Sequence, residues 1–225
     1  MCGRFTLSKT PKEVADHFGV ILPENSGIPL FNAAPGQSLP VITQKEPGQI
    51  ALMHWGMTAA WQKSGGQQII NARSETLTKK KLFGDLVREG RCLVPADGFY
   101  EWMKLGRRKQ PFRFLLKSES VFAFAGLVGR FTNPAGEQVE AFAILTTAAN
   151  ELVAGVHNRM PVIIREGREA EWISESLPEA AMASFFEPFP AAGMQAYKVS
   201  PGVNKASVNH AGLIRPWEDP TLTLF

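Results

Sequence analysis

The sequence contains 225 residues, of which 44% are hydrophobic and 20% charged, and we expect residues 1–225 to form a single domain that buries its own core. Its 20 glycines and 16 prolines predict many turns and exclude a coiled coil or helical repeat. Apolar runs fall short of the roughly 18–20 residues that cross a bilayer, and the N-terminus lacks the order of a secretory signal. We therefore expect a cytoplasmic protein without a membrane span. Two cysteines, Cys2 and Cys92, exclude a disulfide framework.

The formal net charge of +3 is distributed unevenly along the chain. Residues 63–117 contain 13 lysines and arginines against 5 acidic residues, a local net charge of +8, which leaves −5 for the remainder. Such asymmetry is typical of a face that binds a polyanion such as nucleic acid. A solvated basic face is the alternative.

The first predicted element is a short helix with clear boundary signals. Thr10 is the expected N-cap, Pro11 occupies the first helical position, Glu13 completes a capping box, and Gly19 follows the end. Residues before Thr10 are then expected to form a free leader of about nine residues.

The remaining pattern alternates strands and short helices. Apolar or alternating runs predict strands at residues 39–43, 50–55, 92–102, 111–116, 121–127, 139–146 and 161–164. Helical patterns lie at residues 79–88, 148–153, 166–174 and 178–186. Together they predict a β-rich α+β fold, with a curved antiparallel sheet or barrel surrounded by peripheral helices.

Cys2 is the most informative residue for chemistry. Cysteine is small enough to permit removal of the initiator methionine, which would make Cys2 the N-terminal residue. Its α-amine, with a pKa of about 7.7–8.0, could then condense with an aldehyde, and its thiol could close a five-membered thiazolidine ring. Gly3 permits close approach of the backbone, and Arg4 places a permanent cation beside any bound group. An unselected second residue is the alternative interpretation.

Three further clusters could carry chemistry. In an extended segment, Asn71, Arg73 and Glu75 would share one face and could orient a sugar and hold a phosphate, or form an internal ion pair. Glu101 lies among aromatic residues, where burial tends to raise a carboxyl pKa as acid/base chemistry requires. His157 follows a short helix and precedes Arg159, and its charge can switch near neutral pH. We find no spacing of ligands typical of a metal and expect no metal or cofactor.

These clusters belong to a longer ordered pattern. It comprises MCGRF at 1–5, NAAP at 32–35, WG at 55–56, NARSET at 71–76, RC at 91–92, GFYEW at 98–102 and HNRMP at 157–161. A last segment begins with Val-Ser at 199–200, contains Val-Asn at 203–204 and ends at Asn209. In this order and combination, the motifs resemble the SRAP (SOS response-associated peptidase) family over nearly the whole chain.

The resemblance implies a sensor of abasic sites in single-stranded DNA that forms a covalent thiazolidine crosslink and shields the lesion during the DNA damage response. Cys2 would attack the aldehyde of the ring-opened sugar. Asn71 would position the sugar and Cys2, Glu101 would transfer protons, and His157 would act as acid and base, also in reversal. Such a protein would act as a monomer, associate with the nucleoid when bound to DNA, and have replication-fork proteins as candidate partners.

The resemblance also implies a set of DNA-binding residues, with cations that hold phosphates and one tryptophan that stacks near the lesion: Arg4, Arg73, Lys81, Arg159 and Trp61. One departure concerns Trp61. Relatives usually carry a proline between the Trp-Gly pair and the next tryptophan, whereas this chain reads MTAA at 57–60. A less rigid loop around Trp61 is therefore expected.

Two other classes of function remain open at this point. One is an N-terminal-nucleophile hydrolase or peptidase in which Cys2 attacks an acyl carbon, including autoproteolytic removal of Met1. The other is a noncovalent reader of single strands or modified bases, for which Cys2 would be dispensable. An imine at the Cys2 amine would also permit β-elimination, a lyase side activity that nicks DNA.

Overall fold

The computed structural model describes residues 2–57, 68–77, 81–132 and 137–218, with backbone only at 81, 82, 132 and 179. The strands are β1 (Phe5–Leu7), β2 (Leu30–Ala33), β3 (Ser38–Thr43), β4 (Ala51–Trp55), β5 (Asn71–Arg73), β6 (Arg91–Ala96), β7 (Gly98–Leu105), β8 (Arg108–Leu116), β9 (Phe122–Thr132), β10 (Gln138–Ala148), β11 (Arg159–Pro161), β12 (Ile163–Ile164) and β13 (Met194–Lys198).

Short helices lie between these strands: α1 (Pro11–Phe18), α2 (Lys81–Gly84), α3 (Leu86–Glu89), α4 (Glu151–Ala154), α5 (Glu169–Trp172) and α6 (Glu179–Met182). One-turn 3-10 helices occur at Ser74–Thr76, Ala183–Phe185, Ala191–Gly193, Pro201–Asn204 and Ala211–Ile214. Each predicted helix after the first is shorter than the sequence pattern indicated. No helix in the described part of the chain has the length and apolar character needed to span a membrane.

A closed five-stranded barrel forms the larger of two sheet systems. Strands β10, β4, β3, β6 and β9 pair in that order, and β9 pairs back with β10 to close the ring. The pairing of β4 with β10 is parallel, and the other four pairings in the ring are antiparallel. Strands β5, β11 and β12 extend this sheet at its margins. The predicted β-rich fold with a barrel and peripheral helices is confirmed.

The second sheet contains five strands in the order β13, β8, β7, β1, β2. It packs on the barrel through one shared apolar cluster, to which the sheet contributes Phe5, Phe99 and Phe114 and the barrel contributes Phe124 and Phe142. Each of these five rings is fully buried, and burying a side chain of this kind stabilises the fold by about 1.5–3 kcal/mol. Side chains alternate along the barrel strands β9 and β10, so Ala123, Ala125, Ala141 and Ala143 lie in a separate apolar cluster with Val14, Val87 and Trp172 of the helices.

Helix α1 forms as predicted. The Thr10 hydroxyl accepts from the backbone N–H of Glu13, and the Glu13 carboxylate accepts from the backbone N–H of Thr10. Gly19 ends the helix in the left-handed conformation, with φ of 63°. All of these determinants lie within ten residues of sequence.

The free leader predicted before Thr10 is wrong. Residues Phe5–Leu7 form β1, an inner strand paired with β2 on one side and β7 on the other. The predicted single strand over 92–102 is also wrong, because the chain bends at Asp97. Before the bend, β6 pairs within the barrel, and after it β7 joins the second sheet. This change of sheet brings β1 and β7 together and so places Cys2 beside Glu101.

Candidate active site

Cys2 lies just before β1, and its side chain is fully buried. Pairing of Phe5 with Ala33 and Phe99 anchors the strand that follows it. The thiol points to the backbone oxygen of Arg4 at 3.8 Å, a weak hydrogen bond. Burial raises the pKa of the Cys2 thiol, and the Glu101 carboxylate raises it further. The thiol is therefore protonated at neutral pH and needs a base in order to react.

Asn71 holds the backbone of Cys2. Its Nδ2 donates to the Cys2 carbonyl oxygen at 2.9 Å. The residue opens β5, whose parallel pairing with Ile144 of β10 attaches it to the barrel. The Asn71 Oδ1 is buried and has no hydrogen-bond partner among the described residues. A buried acceptor in this state is available to a donor on a ligand.

Glu101 and His157 provide the acid/base groups beside Cys2. Glu101 is 3% exposed, and burial raises the pKa of its carboxyl group, while a positive charge on His157 acts in the opposite direction. His157 follows α4 and is half-buried. Its Nδ1 accepts from the backbone N–H of Arg159 at 3.1 Å, which favours the tautomer with the proton on Nε2. Glu101 can therefore exchange a proton with a bound group through its carboxyl group, and His157 can do so through Nε2.

A pocket of about 460 Å³ opens over these residues, lined by Glu101, Trp102, Lys104, Lys109, His157 and Asn204. The Trp102 indole Nε1 donates to Asn204 Oδ1 at 2.7 Å, which fixes one wall. Two larger pockets, of about 540 and 880 Å³, contain none of the site residues predicted from the sequence. Of the predicted site residues, Glu101 and His157 line the smaller opening.

Arg159 forms an ion pair rather than standing free. Its guanidinium donates from Nη1 and Nη2 to both carboxylate oxygens of Glu75, and from Nη2 to the Thr146 carbonyl oxygen at 2.6 Å. The pair holds the pKa of Glu75 below its usual range. The Nε of Arg159 is buried and lacks a partner among the described residues. Arg73 ends β5 nearby and is exposed.

The common face predicted for Asn71, Arg73 and Glu75 is wrong. Strand β5 ends at Arg73, and Ser74–Thr76 form a 3-10 helix that carries Glu75 out of the strand. The carboxylate reaches Arg159 instead. The alternative prediction for this segment is an internal ion pair. Glu75 forms its ion pair with Arg159 of β11 instead.

Arg4 is bound to protein groups. Its Nη1 donates to Asn32 Oδ1 at 2.8 Å and to the Val203 carbonyl oxygen at 2.6 Å. The Asn32 amide in turn donates to the carbonyl oxygens of Lys205 and Val208 at 2.9 and 2.8 Å. Burial lowers the pKa of Arg4. In this arrangement Arg4 fastens the C-terminal segment beside the pocket, and its predicted contact with phosphate stays a prediction.

Two of the predicted DNA-binding side chains cannot be placed. Trp61 lies outside the described residues, as does the side chain of Lys81, whose backbone begins α2. Conversely, the sequence assigns no role to Trp102, Asn204 or Lys104, although all three line the pocket. Trp102 and Asn204 were already part of the recognised motifs, so only their contact across the fold was missing.

The described residues contain no group of three or more His, Cys, Asp or Glu side chains arranged to hold a metal ion.

Comparison with known proteins identifies the family. The family model of the SOS response associated peptidase (SRAP) matches residues 1–206. The abasic site processing protein YoqW of Bacillus subtilis (strain 168) is 38% identical over 221 residues, covering 95% of this chain and 99% of that protein. The abasic site processing protein YedK of Escherichia coli (strain K12) is 29% identical over 224 residues, covering 96% and 100%. A crystal structure of a Bacteroides thetaiotaomicron protein has a TM-score of 0.85 and 26% identity, covering 96% of this chain and 100% of that one. The chain belongs to the SRAP family.

Proposed function

We propose that this protein processes abasic sites in DNA by capturing them covalently through Cys2. The names of its relatives support abasic-site processing. The observation that carries covalent capture is the position of Cys2: its thiol lies beside the Glu101 carboxyl group and its carbonyl oxygen accepts from the Asn71 amide, while Glu101 and His157 line one pocket. Single-stranded DNA is the proposed substrate, because its sugar aldehyde can enter the pocket without displacing a paired strand.

The proposed reaction needs no oxidant or cofactor. Hydrolysis of the Met1–Cys2 peptide bond frees the α-amine of Cys2. That amine attacks the C1′ aldehyde of the ring-opened sugar, and loss of one water leaves a C=N bond. The thiol then adds across this bond: sulfur binds the carbon, and the thiol proton ends on nitrogen. The product is a thiazolidine, with the mass of protein plus DNA minus one water.

The environment of Glu101 suits it to move these protons. Its raised pKa allows the carboxyl group to hold and return a proton at a higher pH than an ordinary glutamate does. It can take the proton of the buried thiol, whose own pKa is too high for spontaneous ionisation. We assign His157 Nε2 a second acid/base role, protonating the leaving oxygen and acting again in reversal.

The remaining assignments concern placement of the sugar and phosphates. The vacant Asn71 Oδ1 can accept from a sugar hydroxyl while Nδ2 keeps Cys2 in place. Exposed Arg73 can bind a phosphate directly. Arg159 can do so by exchanging one Glu75 contact for a phosphate oxygen. Arg4, Lys81 and Trp61 remain proposed DNA contacts on the basis of family resemblance.

The proposal is tested by intact-mass spectrometry before and after incubation with an abasic single-stranded oligonucleotide. We expect protein without Met1 and then an adduct lacking one water. Cys2→Ser should form no stable adduct, because its hydroxyl cannot replace the thiol. Cys92→Ala is the matched control, since Cys92 is the other buried free cysteine and should be dispensable for the adduct.

Other outcomes would redirect the assignment. A Cys2→Ala adduct as stable as that of the unchanged protein would contradict thiazolidine formation. Cleaved DNA in the same reaction would reveal a lyase activity. Peptide turnover without an adduct would support the peptidase alternative, and binding without either would support a noncovalent reader. We further propose that one molecule suffices for capture, and that replication-fork proteins and the nucleoid supply its setting.

A further inference from the structure

The hairpin formed by β7 and β8 carries an unusual concentration of positive charge at its tip. Within residues 104–109 lie Lys104, Arg107, Arg108 and Lys109, all of them exposed. No acidic residue occurs in the sequence between Glu101 and Glu119. The tip is therefore a cationic projection without local countercharge. We call residues 104–109 the basic hairpin.

The strand register places two of these cations face to face. Lys104 pairs directly with Lys109 across the hairpin, and like charges in that position destabilise a strand pair. Exposed Arg130 and Arg165, by contrast, each pair with a glutamate. Among the described residues, no salt bridge or side-chain hydrogen bond involves any cation of the basic hairpin. An external anion would relieve this repulsion.

The basic hairpin begins at the pocket itself. Lys104 and Lys109 line the same opening as Glu101 and His157. From there the strands lead outward to a turn at Gly106, where φ is 58°. At about 3.3 Å per residue, the turn lies roughly 7 Å beyond Lys104. Cations are thus spread along a line from the pocket rim, as a strand of nucleic acid would require.

We propose that the basic hairpin binds the backbone phosphates of nucleotides on one side of the captured lesion. This inference rests on the proposed function. When the sugar of the lesion occupies the pocket, the flanking single-stranded DNA, a polyanion, must pass out over the pocket rim. Lysines act as point charges without planar geometry, and phosphates carry no base identity. The hairpin therefore contributes affinity that is independent of sequence.

The test compares noncovalent binding at several salt concentrations. The probe is a single-stranded oligonucleotide with one tetrahydrofuran abasic analogue, which has no aldehyde and cannot crosslink. Each phosphate contact on a single strand contributes about 0.7 to the slope of log affinity against log salt concentration. For Lys104→Gln/Lys109→Gln we expect the slope to fall by about 1.4 if both lysines bind phosphate.

A matched double variant controls for net charge. Lys45→Gln/Lys117→Gln removes two exposed lysines elsewhere, and Lys117 follows the opposite end of β8 from Lys109. We expect its salt slope to equal that of the unchanged protein. Equal slopes for the two double variants would overturn the proposal.

Sidedness provides a second criterion. Two probes carry the analogue near the 5′ end or near the 3′ end, so that flanking nucleotides extend in only one direction. The hairpin variant should lose affinity for one probe and not for the other. An equal loss for both probes would show a diffuse charge effect and overturn binding on one side.

Crosslinking separates failure of this inference from failure of the proposed function. At saturating concentrations of an aldehyde-bearing abasic oligonucleotide, the unchanged protein should form the adduct, because covalent capture depends on Cys2 and Glu101. If the unchanged protein forms no adduct but the salt slopes differ, the proposal of covalent capture is contradicted and binding of DNA by the basic hairpin is supported. If the adduct forms but the slopes agree, the hairpin inference alone fails.

Discussion

Two buried carboxyl groups lie four residues apart in the chain and occupy opposite kinds of environment. Asp97, at the bend between β6 and β7, accepts from the Thr6 hydroxyl at 2.5 Å and from the Ser8 backbone N–H and hydroxyl at 2.6 Å each. It also pairs with Arg113 at 3.1 Å. Its oxygens are fully engaged in fastening β1 to the rest of the fold.

Glu101 meets a thiol, an imidazole and a pocket instead of a saturated network. Burial disfavours the charged form of Glu101 where no arginine offsets the cost, so the pKa of its carboxyl group rises. The comparison teaches that burial alone does not distinguish a structural carboxylate from a reactive one. The charged neighbours do: the Arg113 guanidinium pairs with Asp97, whereas a thiol and an imidazole lie beside Glu101.

The largest expected effect comes from removing the structural carboxylate. Asp97→Ala leaves the buried Arg113 guanidinium without its countercharge and removes the anchor of Thr6 and Ser8. We expect a loss of about 3–5 kcal/mol in the free energy of unfolding, measured by urea denaturation. Thr6→Val is the graded control and should cost only about 1 kcal/mol. A loss from Asp97→Ala no larger than that of the control would contradict the structural role.

Glu101→Gln should reverse this pattern, with a large effect on reaction rate and a small one on stability. Loss of a positioned proton-transfer group slows a reaction by about 10²–10⁴-fold, so we expect adduct formation to slow at least 100-fold. Quenched time courses on denaturing gels measure the rate. Exposed Glu140→Gln serves as the control and should react normally. A Glu101→Gln rate within a few-fold of normal would exclude the proposed proton transfer.

The smallest effect is a pH dependence of stability. The folded pKa of Glu101 is raised, so the native state binds this proton more tightly than the unfolded chain does. Its contribution is fully present below the unfolded pKa of about 4.3 and is lost as the pH rises through the folded pKa. Glu101→Gln should therefore gain stability relative to the unchanged protein with rising pH, by at most about 1.4 kcal/mol per pH unit.

Thermal unfolding between about pH 3 and 8 measures this difference, because this range also reaches below the unfolded carboxyl pKa of about 4.3. Glu75→Gln is a control of opposite sign, because Arg159 lowers the pKa of Glu75. The contribution of Glu75 is present above its unfolded pKa and disappears as the pH falls through the folded pKa. Parallel pH profiles for Glu101→Gln and the unchanged protein would contradict the raised pKa.

The parts of the fold that could be predicted are those with local causes. The capping box of α1 depends on Thr10 and Glu13, three residues apart. Strand β1 could not be found this way, because its three residues become a strand only by pairing with β2 and β7. The break at Asp97 was equally hidden, since it reflects a change of sheet and not a change in hydrophobic pattern.

The candidate site shows the same division. Motifs identified Cys2, Asn71, Glu101 and His157, and the fold joins Cys2 to Asn71 by a hydrogen bond, places Glu101 beside the Cys2 thiol, and brings Glu101 and His157 to one pocket. The contacts of the cations were not predictable, because their partners lie far away in sequence. Arg159 meets a glutamate 84 residues distant.

The inner position of β1 limits the time in which the N-terminus can be processed. Arg4 bonds to a carbonyl group 199 residues downstream, so the native environment of Cys2 cannot assemble until nearly the whole chain has been synthesised. At about 5–20 residues per second, synthesis of that length takes roughly 10–40 s. During this interval Cys2 lacks its native contacts, and we expect an aminopeptidase at the ribosome to remove Met1 then. Afterwards Cys2 is fully buried, so rapid overexpression that outpaces the aminopeptidase should trap molecules with a blocked amine.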